Sequence, residues 1–346
     1  MKTETKNPLK LAGSVGSPYS RKMRSLLRYR RIPFHFIEWG TEASKALARP
    51  PLPMMPALYF PGLPGEDGYA PTSDSTFQIK RLEDEFSERS VIPTDPVLAF
   101  IDFLIEDYAD EWLTKIMFHY RWAIAEDAEH AVRIMPRWHL GVSEKAATEF
   151  AETFGQRQID RLYVVGSNAV TGPVIEESYR RLLGLLEALL REQPFVMGGR
   201  PGSADFGLVG QLIELVQVEP ASQAVAREIS YRVLAWCDAL EDISGIEVDE
   251  DQWPSRNEIA PLYGPLLGEI GRTYAPYLLA NAAALEAGAE NVECEIMGSA
   301  WSQIPFKYQG KCLGWLREAH AALGEDDRAA VDAILSGTGC ETLFPG

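Results

Sequence analysis

Ser14-Val15-Gly16-Ser17-Pro18-Tyr19-Ser20-Arg21-Lys22-Met23-Arg24 decides how this chain of 346 residues is read, because it runs from a strand end straight into a helix whose first residue carries a hydroxyl. Leu9 and Leu11 alternate as in a half-buried strand. Gly13 and Gly16 loosen the backbone, Ser17 suits an N-cap, and Pro18 suits the first helical position. Met23, Leu26 and Leu27 then form an apolar stripe. The unpaired amides of that first turn and the Ser17 hydroxyl converge on one spot, where a thiolate, phosphate or carboxylate could sit. Alone, the segment has a plainer reading, in which Ser17 only caps its helix.

Three further segments add to it. Met54-Met55-Pro56-Ala57-Leu58-Tyr59-Phe60 places a proline directly before a short apolar strand. A cis bond there would leave the Met55 backbone free to pair with an extended, peptide-like ligand. Thr72-Ser73-Asp74-Ser75-Thr76, followed by Phe77, Ile79, Leu82 and Phe86, is a second helix start. Its carboxylate and hydroxyl are fit to hold an ammonium and a carboxylate. Finally, Gly198 to Leu212 combines a turn, a helix start and Asp205 three residues after Gly202.

In this order the four segments, spanning residues 9 to 241, resemble the soluble glutathione transferases, and Ser17-Pro18-Tyr19-Ser20 looks most like their serine-type, tau-like classes. The resemblance implies a thioredoxin-like α/β N-terminal domain over 1–87 and an all-α domain over 95–241. Residues 242–346 lie beyond the usual length of that family and are expected to form an extra mixed extension packing on the helical domain or on a partner subunit. It implies glutathione as co-substrate, with no metal, its thiolate stabilised by Ser17 and attacking a small hydrophobic electrophile. Met55 and Pro56 would align the cysteinyl part of glutathione, and Asp74 and Ser75 would hold its γ-glutamyl end. Tau-like members carry two lysines for the peptide; Met54 stands in place of one, and Lys45 is the stand-in for the other. Gly202 occupies a cap that is normally Ser or Thr, keeping a permissive backbone but losing a side-chain bond. The resemblance also implies a homodimer.

Composition narrows the alternatives. The chain is 46% hydrophobic and 24% charged, as expected of an ordered globular protein with room for two packed domains. Neither a membrane span nor a signal peptide is expected, which points to the cytoplasm. Cys237, Cys294, Cys312 and Cys340 have no metal-like spacing and fit buried or free thiols. A net charge of −17 argues against nucleic-acid or anionic-membrane partners. Residues 1–50 nevertheless hold eleven Lys and Arg against three acids. This basic segment could steer an anionic cofactor, or Arg24, Arg28, Arg30 and Arg31 could be a solvated helix face or pair with a partner subunit.

Periodicity predicts strands near 9–15, 34–39, 57–60 and 68–71 and helices near 18–30, 42–48 and 74–86, with the turn-rich PGLPGEDG before the last strand and a linker at Ser87 to Thr94. A long helix starts at Asp95-Pro96. Its apolar face runs through Leu98, Ile101, Ile105, Tyr108, Trp112 and Ile116, and Tyr120 and Trp122 extend it. Tyr108 and Trp112, with Tyr19, are the candidates for the electrophile pocket, although the plainer reading of each ring is core. His119 fits a hydrogen-bonded structural residue. Further helices are expected near 143–164, 174–192, 203–217 and 221–241. In the tail, a hairpin around Met297-Gly298-Ser299-Ala300 and a helix over Lys311 to Ala322 are expected. A reductase reading is disfavoured, since a hydroxyl at residue 17 cannot form a mixed disulfide. The competing class is a non-catalytic ligand-binding or assembly module on the same scaffold.

Overall fold

The computed structural model describes residues 7–50, 52–62 and 69–345. Most of PGLPGEDG, from Leu63 to Gly68, lies outside them. The chain opens as β1 (Leu9–Gly13), α1 (Pro18–Tyr29), β2 (Phe34–Glu38), α2 (Glu42–Lys45), β3 (Ala57–Pro61), β4 (Tyr69–Thr72) and α3 (Ser75–Glu85). The sheet order is β2-β1-β3-β4, with β1 and β2 parallel and β3 antiparallel to both β1 and β4. This is the thioredoxin-like arrangement. Leu11, paired with Phe36 and Leu58, sits at its centre and is fully buried. The Met55–Pro56 bond is cis. Gln78 in α3 donates its side-chain amide to the carbonyls of Pro56 (2.8 Å) and Thr72 (2.9 Å), fixing the turn that carries Met55.

The helical region comprises α4 (Pro96–Glu111), α5 (Leu113–Ala123), α6 (Ala125–Ile134), α7 (Glu144–Ile159), α8 (Gly172–Glu192), α9 (Ser203–Ile213), α10 (Pro220–Ile229) and α11 (Tyr231–Leu240). The single long helix expected beyond residue 95 is two helices that meet at Trp112. The helix expected over 221–241 is also two, divided at Ser230, whose extended backbone and hydroxyl start α11. α9 lies directly on α1, where Gly210 allows the close approach: a Cβ there would run into the Pro18 carbonyl and Lys22.

Gly202 shows how a missing cap is replaced. Asp205 still accepts from the Gly202 amide at 2.9 Å, but the first-turn amide of Ala204 is satisfied by Asp102 of α4 at 2.9 Å. A Cβ at residue 202 would collide with that Asp102 carboxylate, so glycine and the carboxylate from a neighbouring helix are one arrangement.

Beyond residue 241 the chain forms α12 (Arg256–Ala287), the hairpin β5 (Val292–Ile296) and β6 (Ser299–Gln303), α13 (Lys307–Ala321) and α14 (Glu325–Leu335). α12 packs on α4 and α8, and its Tyr274 hydroxyl reaches Asp107 at 2.7 Å. The helix contains Pro261, Pro265 and Pro276, each of which removes a backbone donor, which is why periodicity alone did not reveal it. The hairpin turns at Met297 and Gly298, both at positive φ, as the tightest hairpin loops require.

Candidate functional site

At the start of α1, Ser17 has extended backbone (φ −102°, ψ 119°), and its hydroxyl accepts from the Ser20 amide at 3.4 Å. Ser17 is buried. The Ser20 hydroxyl accepts from the Ser14 amide at 3.2 Å. Arg121 of α5 donates to the Gly16 carbonyl at 2.9 Å, Arg21 donates to the Val15 carbonyl at 2.8 Å, and the Trp138 ring covers Gly16. The helical region therefore closes over the loop that presents Ser17.

Beside this loop, between the thioredoxin-like domain and the helices, lies a cavity of about 610 Å³. Tyr19, Met55, Asp74 and Ser75 line one wall. Asp110, Glu111, Thr114 and Lys115 line the second, and Phe306, Tyr308 and Gln309 close the third. Ser17 does not line it. The Tyr19 hydroxyl donates to the Asp110 carbonyl at 2.7 Å and shares a 2.7 Å bond with Thr114. Burial, reinforced by Glu111 and Asp110, raises the Tyr19 phenol well above its ordinary range, so it stays protonated.

Asp74 caps α3 through the Thr76 amide at 3.2 Å, and its second oxygen accepts from the Tyr308 hydroxyl at 2.5 Å. Any ammonium approaching Asp74 must compete with that phenol. Ser75 is engaged with Lys22 (3.2 Å) and Asp110 (3.3 Å). Lys22 also pairs with Glu106 at 2.5 Å and Asp110 at 2.6 Å. Burial alone would lower the Lys22 ammonium, but these two carboxylates raise it.

The remaining sequence candidates lie elsewhere. Tyr108 and Trp112 are fully buried behind the wall: Trp112 donates to Ser178 at 2.8 Å and packs on Trp301, with ring centroids 5.4 Å apart. Lys45 is exposed on α2 and paired with Glu42 at 2.7 Å, away from the cavity. His119 is hydrogen-bonded to Ser167 at 2.8 Å. The four cysteines are free thiols. Among the described residues, no cluster of three or more His, Cys, Asp or Glu could hold a metal ion, and no helix is long and apolar enough to cross a membrane.

Sequence reasoning did not single out Lys115, Glu111 or Tyr308. Lys115 is 1% exposed; its ammonium donates to Gln303 at 3.0 Å and lies 4.0 Å from the Tyr277 ring centre. Burial pushes it down to about 7, against the pull of Glu111 and Cys294. Burial, with Asp107 beside it, pushes the Glu111 carboxyl up to about 8. The only sequence signal was a lysine beside Ile116 in the otherwise uncharged stretch Leu113 to Phe118. Tyr308 left only a general signal, as one of the tail residues with Trp301, Phe306, Cys312 and Trp315 that are too apolar for a disordered segment, because its role depends on how the extension folds back.

A thioredoxin-like domain with a cis-proline turn, docked on a helical domain across a shared cavity, defines the glutathione-transferase-like class. Residues 11–90 match the family described as glutathione S-transferase, N-terminal domain. Among solved structures, the chain is similar to a GST-like protein from Pseudomonas syringae (16% identity, 67% of this chain and 66% of that one, TM-score 0.40). It is similar to the tau-class glutathione S-transferase of mango, Mangifera indica (18% identity, 73% and 96%, TM-score 0.41). A third is the β-etherase LigF from Sphingobium (18% identity, 67% and 94%, TM-score 0.47). No curated protein matches the chain significantly.

Proposed function

We propose that this protein is a glutathione-dependent transferase that binds glutathione on the thioredoxin-like face and directs its sulfur toward a small hydrophobic electrophile in the interdomain cavity. The carrying observation is that Met55, Asp74 and Ser75 share one wall of a cavity whose size suits a drug-sized ligand. In this reading the Met55 backbone, set by the cis Pro56, aligns the cysteinyl unit, and Asp74 and Ser75 take the γ-glutamyl end. Ser17 would donate its hydroxyl to the sulfur, and Tyr19 would border the electrophile. Lys45 would reach the glycine end only by leaving Glu42, and Tyr108 and Trp112 would support the wall from behind. A homodimer in the cytoplasm completes the reading.

The chemistry asks little of the protein. A free thiol titrates near ~8.5, and lowering it by about two units requires roughly 2.7 kcal/mol of selective anion stabilisation. One hydroxyl bond to a charged acceptor contributes about 1.5–3 kcal/mol, and a helix N-terminus about 0.3–1. The thiol proton leaves to water, the S–C bond forms, and the leaving group departs with its electron pair. No general base is needed.

A second reading has its own support: Tyr308 occupies Asp74, and Trp138 covers Gly16, as in a scaffold retained for binding alone. Thiolate absorbance of bound glutathione, followed against pH, separates the two. The transferase reading expects the bound thiol roughly two units below its free value, with the shift lost in Ser17→Ala. That variant should fold, losing at most about 2 kcal/mol from a missing cap. Binding with an unshifted thiol supports the binding module, and absence of binding removes the transferase reading and leaves a module that binds another ligand or serves assembly.

A further inference from the structure

Lys115 poses an electrostatic problem that the transferase reading leaves unanswered. Its ammonium is buried on the cavity wall, its hydrogen-bond partner is the neutral Gln303, and among the described residues no carboxylate lies within ion-pair distance. A buried cation without a counter-ion is costly: such groups are either paired or shed their proton, and Lys115, pushed down to about 7, still holds its proton in a large share of molecules at neutral pH and in nearly all at about pH 6. The acids on the same wall do not fill that place. Asp110 is matched by Lys22 at 2.6 Å, and Asp74 is engaged by Tyr308. Glu111, raised to about 8, holds its proton at neutral pH. Lys307 and Lys311, both exposed, add positive charge where the extension borders the cavity, while Met55, Phe118, Val165 and Phe306 supply apolar surface.

We infer that the cavity takes an apolar molecule carrying one carboxylate, seated with that carboxylate on the Lys115 ammonium and its apolar body against Met55, Phe118 and Phe306. A monoanion matches a single buried ammonium, whereas a phosphate dianion would leave charge uncompensated at that depth. The inference deepens the transferase reading, and rests on it in taking this cavity as the electrophile's site: the acceptor is an apolar carboxylic acid rather than a neutral hydrocarbon derivative.

Titration calorimetry with decanoate and decanol tests it on the whole protein without glutathione. Decanoate should bind at least about ten-fold tighter than decanol, the factor expected of a charge-assisted bond. In Lys115→Met, which keeps the length of the side chain, the two ligands should bind equally, and Lys115→Arg should restore the preference. Equal binding to the unsubstituted protein, no binding of decanoate, or a preference that survives Lys115→Met would overturn the inference. Repeating the titration with saturating glutathione separates the sources of the carboxylate. Unchanged decanoate affinity supports a distinct acceptor subsite, and mutual exclusion would show that Lys115 serves a glutathione carboxylate, which also overturns it. If glutathione itself shows no binding, the transferase reading fails while the decanoate preference is judged on its own.

Discussion

Tyr308 and Asp74 show how one side chain can redefine a site. Asp74 stands at a helix start with a free carboxylate oxygen, and the phenol of Tyr308 takes that oxygen at 2.5 Å from a segment 234 residues away. A hydrogen bond to a charged acceptor must be broken before an ammonium can replace it. Removing the phenol should therefore favour the γ-glutamyl end of glutathione. Tyr308→Phe is expected to tighten glutathione binding several-fold, by about 1 kcal/mol, and Asp74→Ala to weaken it. Calorimetry on the two variants checks this; weaker binding in Tyr308→Phe would show that the phenol helps to hold the ligand. Asp74 and Ser75 were visible in the sequence because a helix start has local chemistry. Tyr308 was not, because nothing near residue 308 refers to residue 74. Ser17 falls between these cases: its cap role is local and legible, while the cover of Trp138 over Gly16 is tertiary.

Between elements, the contact of α1 with the helical region depends on a buried charge cluster. Arg121 of α5 reaches Glu214 at 2.8 Å and also pairs with Glu219, while Arg21 of α1 meets Glu214 at 3.1 Å. Glu214 lies in a π-helical turn after α9, where the expected regular helix over 203–217 gives way. Burial raises Glu219 to about 7 even beside Arg121, so removing the guanidinium would leave both carboxyls exposed to that cost. Arg121→Ala is expected to destabilise the fold by about 3–5 kcal/mol, and adding Glu214→Gln and Glu219→Gln should recover part of the loss. Urea midpoints of the single and triple variants decide it, and equal loss in both would mean that packing, not charge, dominates at Arg121. Elements bounded by local punctuation were legible: β1 to α3 were readable from Gly, Ser, Pro and Asp at their ends, as was the Met297-Gly298 turn. α12 was hidden by its three prolines, and the breaks at Trp112 and Ser230 fall inside patterns that a periodic count would continue.

At the scale of the molecule, the uneven charge of the sequence has a structural use. Arg21, Lys22 and Arg30 of the basic N-terminal segment meet Glu214, Glu106 and Glu83, respectively, and are buried there, while Arg31 pairs with Glu247 at the surface, so much of the segment's charge joins the acidic remainder. The extension closes the third wall of the cavity and buries Lys115 against Gln303 and Tyr277. That burial has a pH signature. Burial pushes Lys115 down to about 7 in the folded protein, against about 10.4 when unfolded. Below about pH 7 both states hold the proton, and the full cost of the buried charge is present. Between about pH 7 and 10 the unfolded chain holds a proton that the folded one has released, so the Lys115 contribution to stability becomes more favourable as pH rises. Glu111, raised to about 8 on the same wall, works in the opposite direction, since its folded form keeps a proton that the unfolded chain has lost. Because Glu111 and Lys115 shift each other, the comparison is made in a Glu111→Gln background, where adding Lys115→Met isolates the lysine. The variant should be more stable than the parent below about pH 7, and its advantage should shrink steadily toward about pH 10. Urea unfolding of both proteins across that range measures the difference, and a difference independent of pH would mean that Lys115 keeps its ordinary titration and has found a counter-ion.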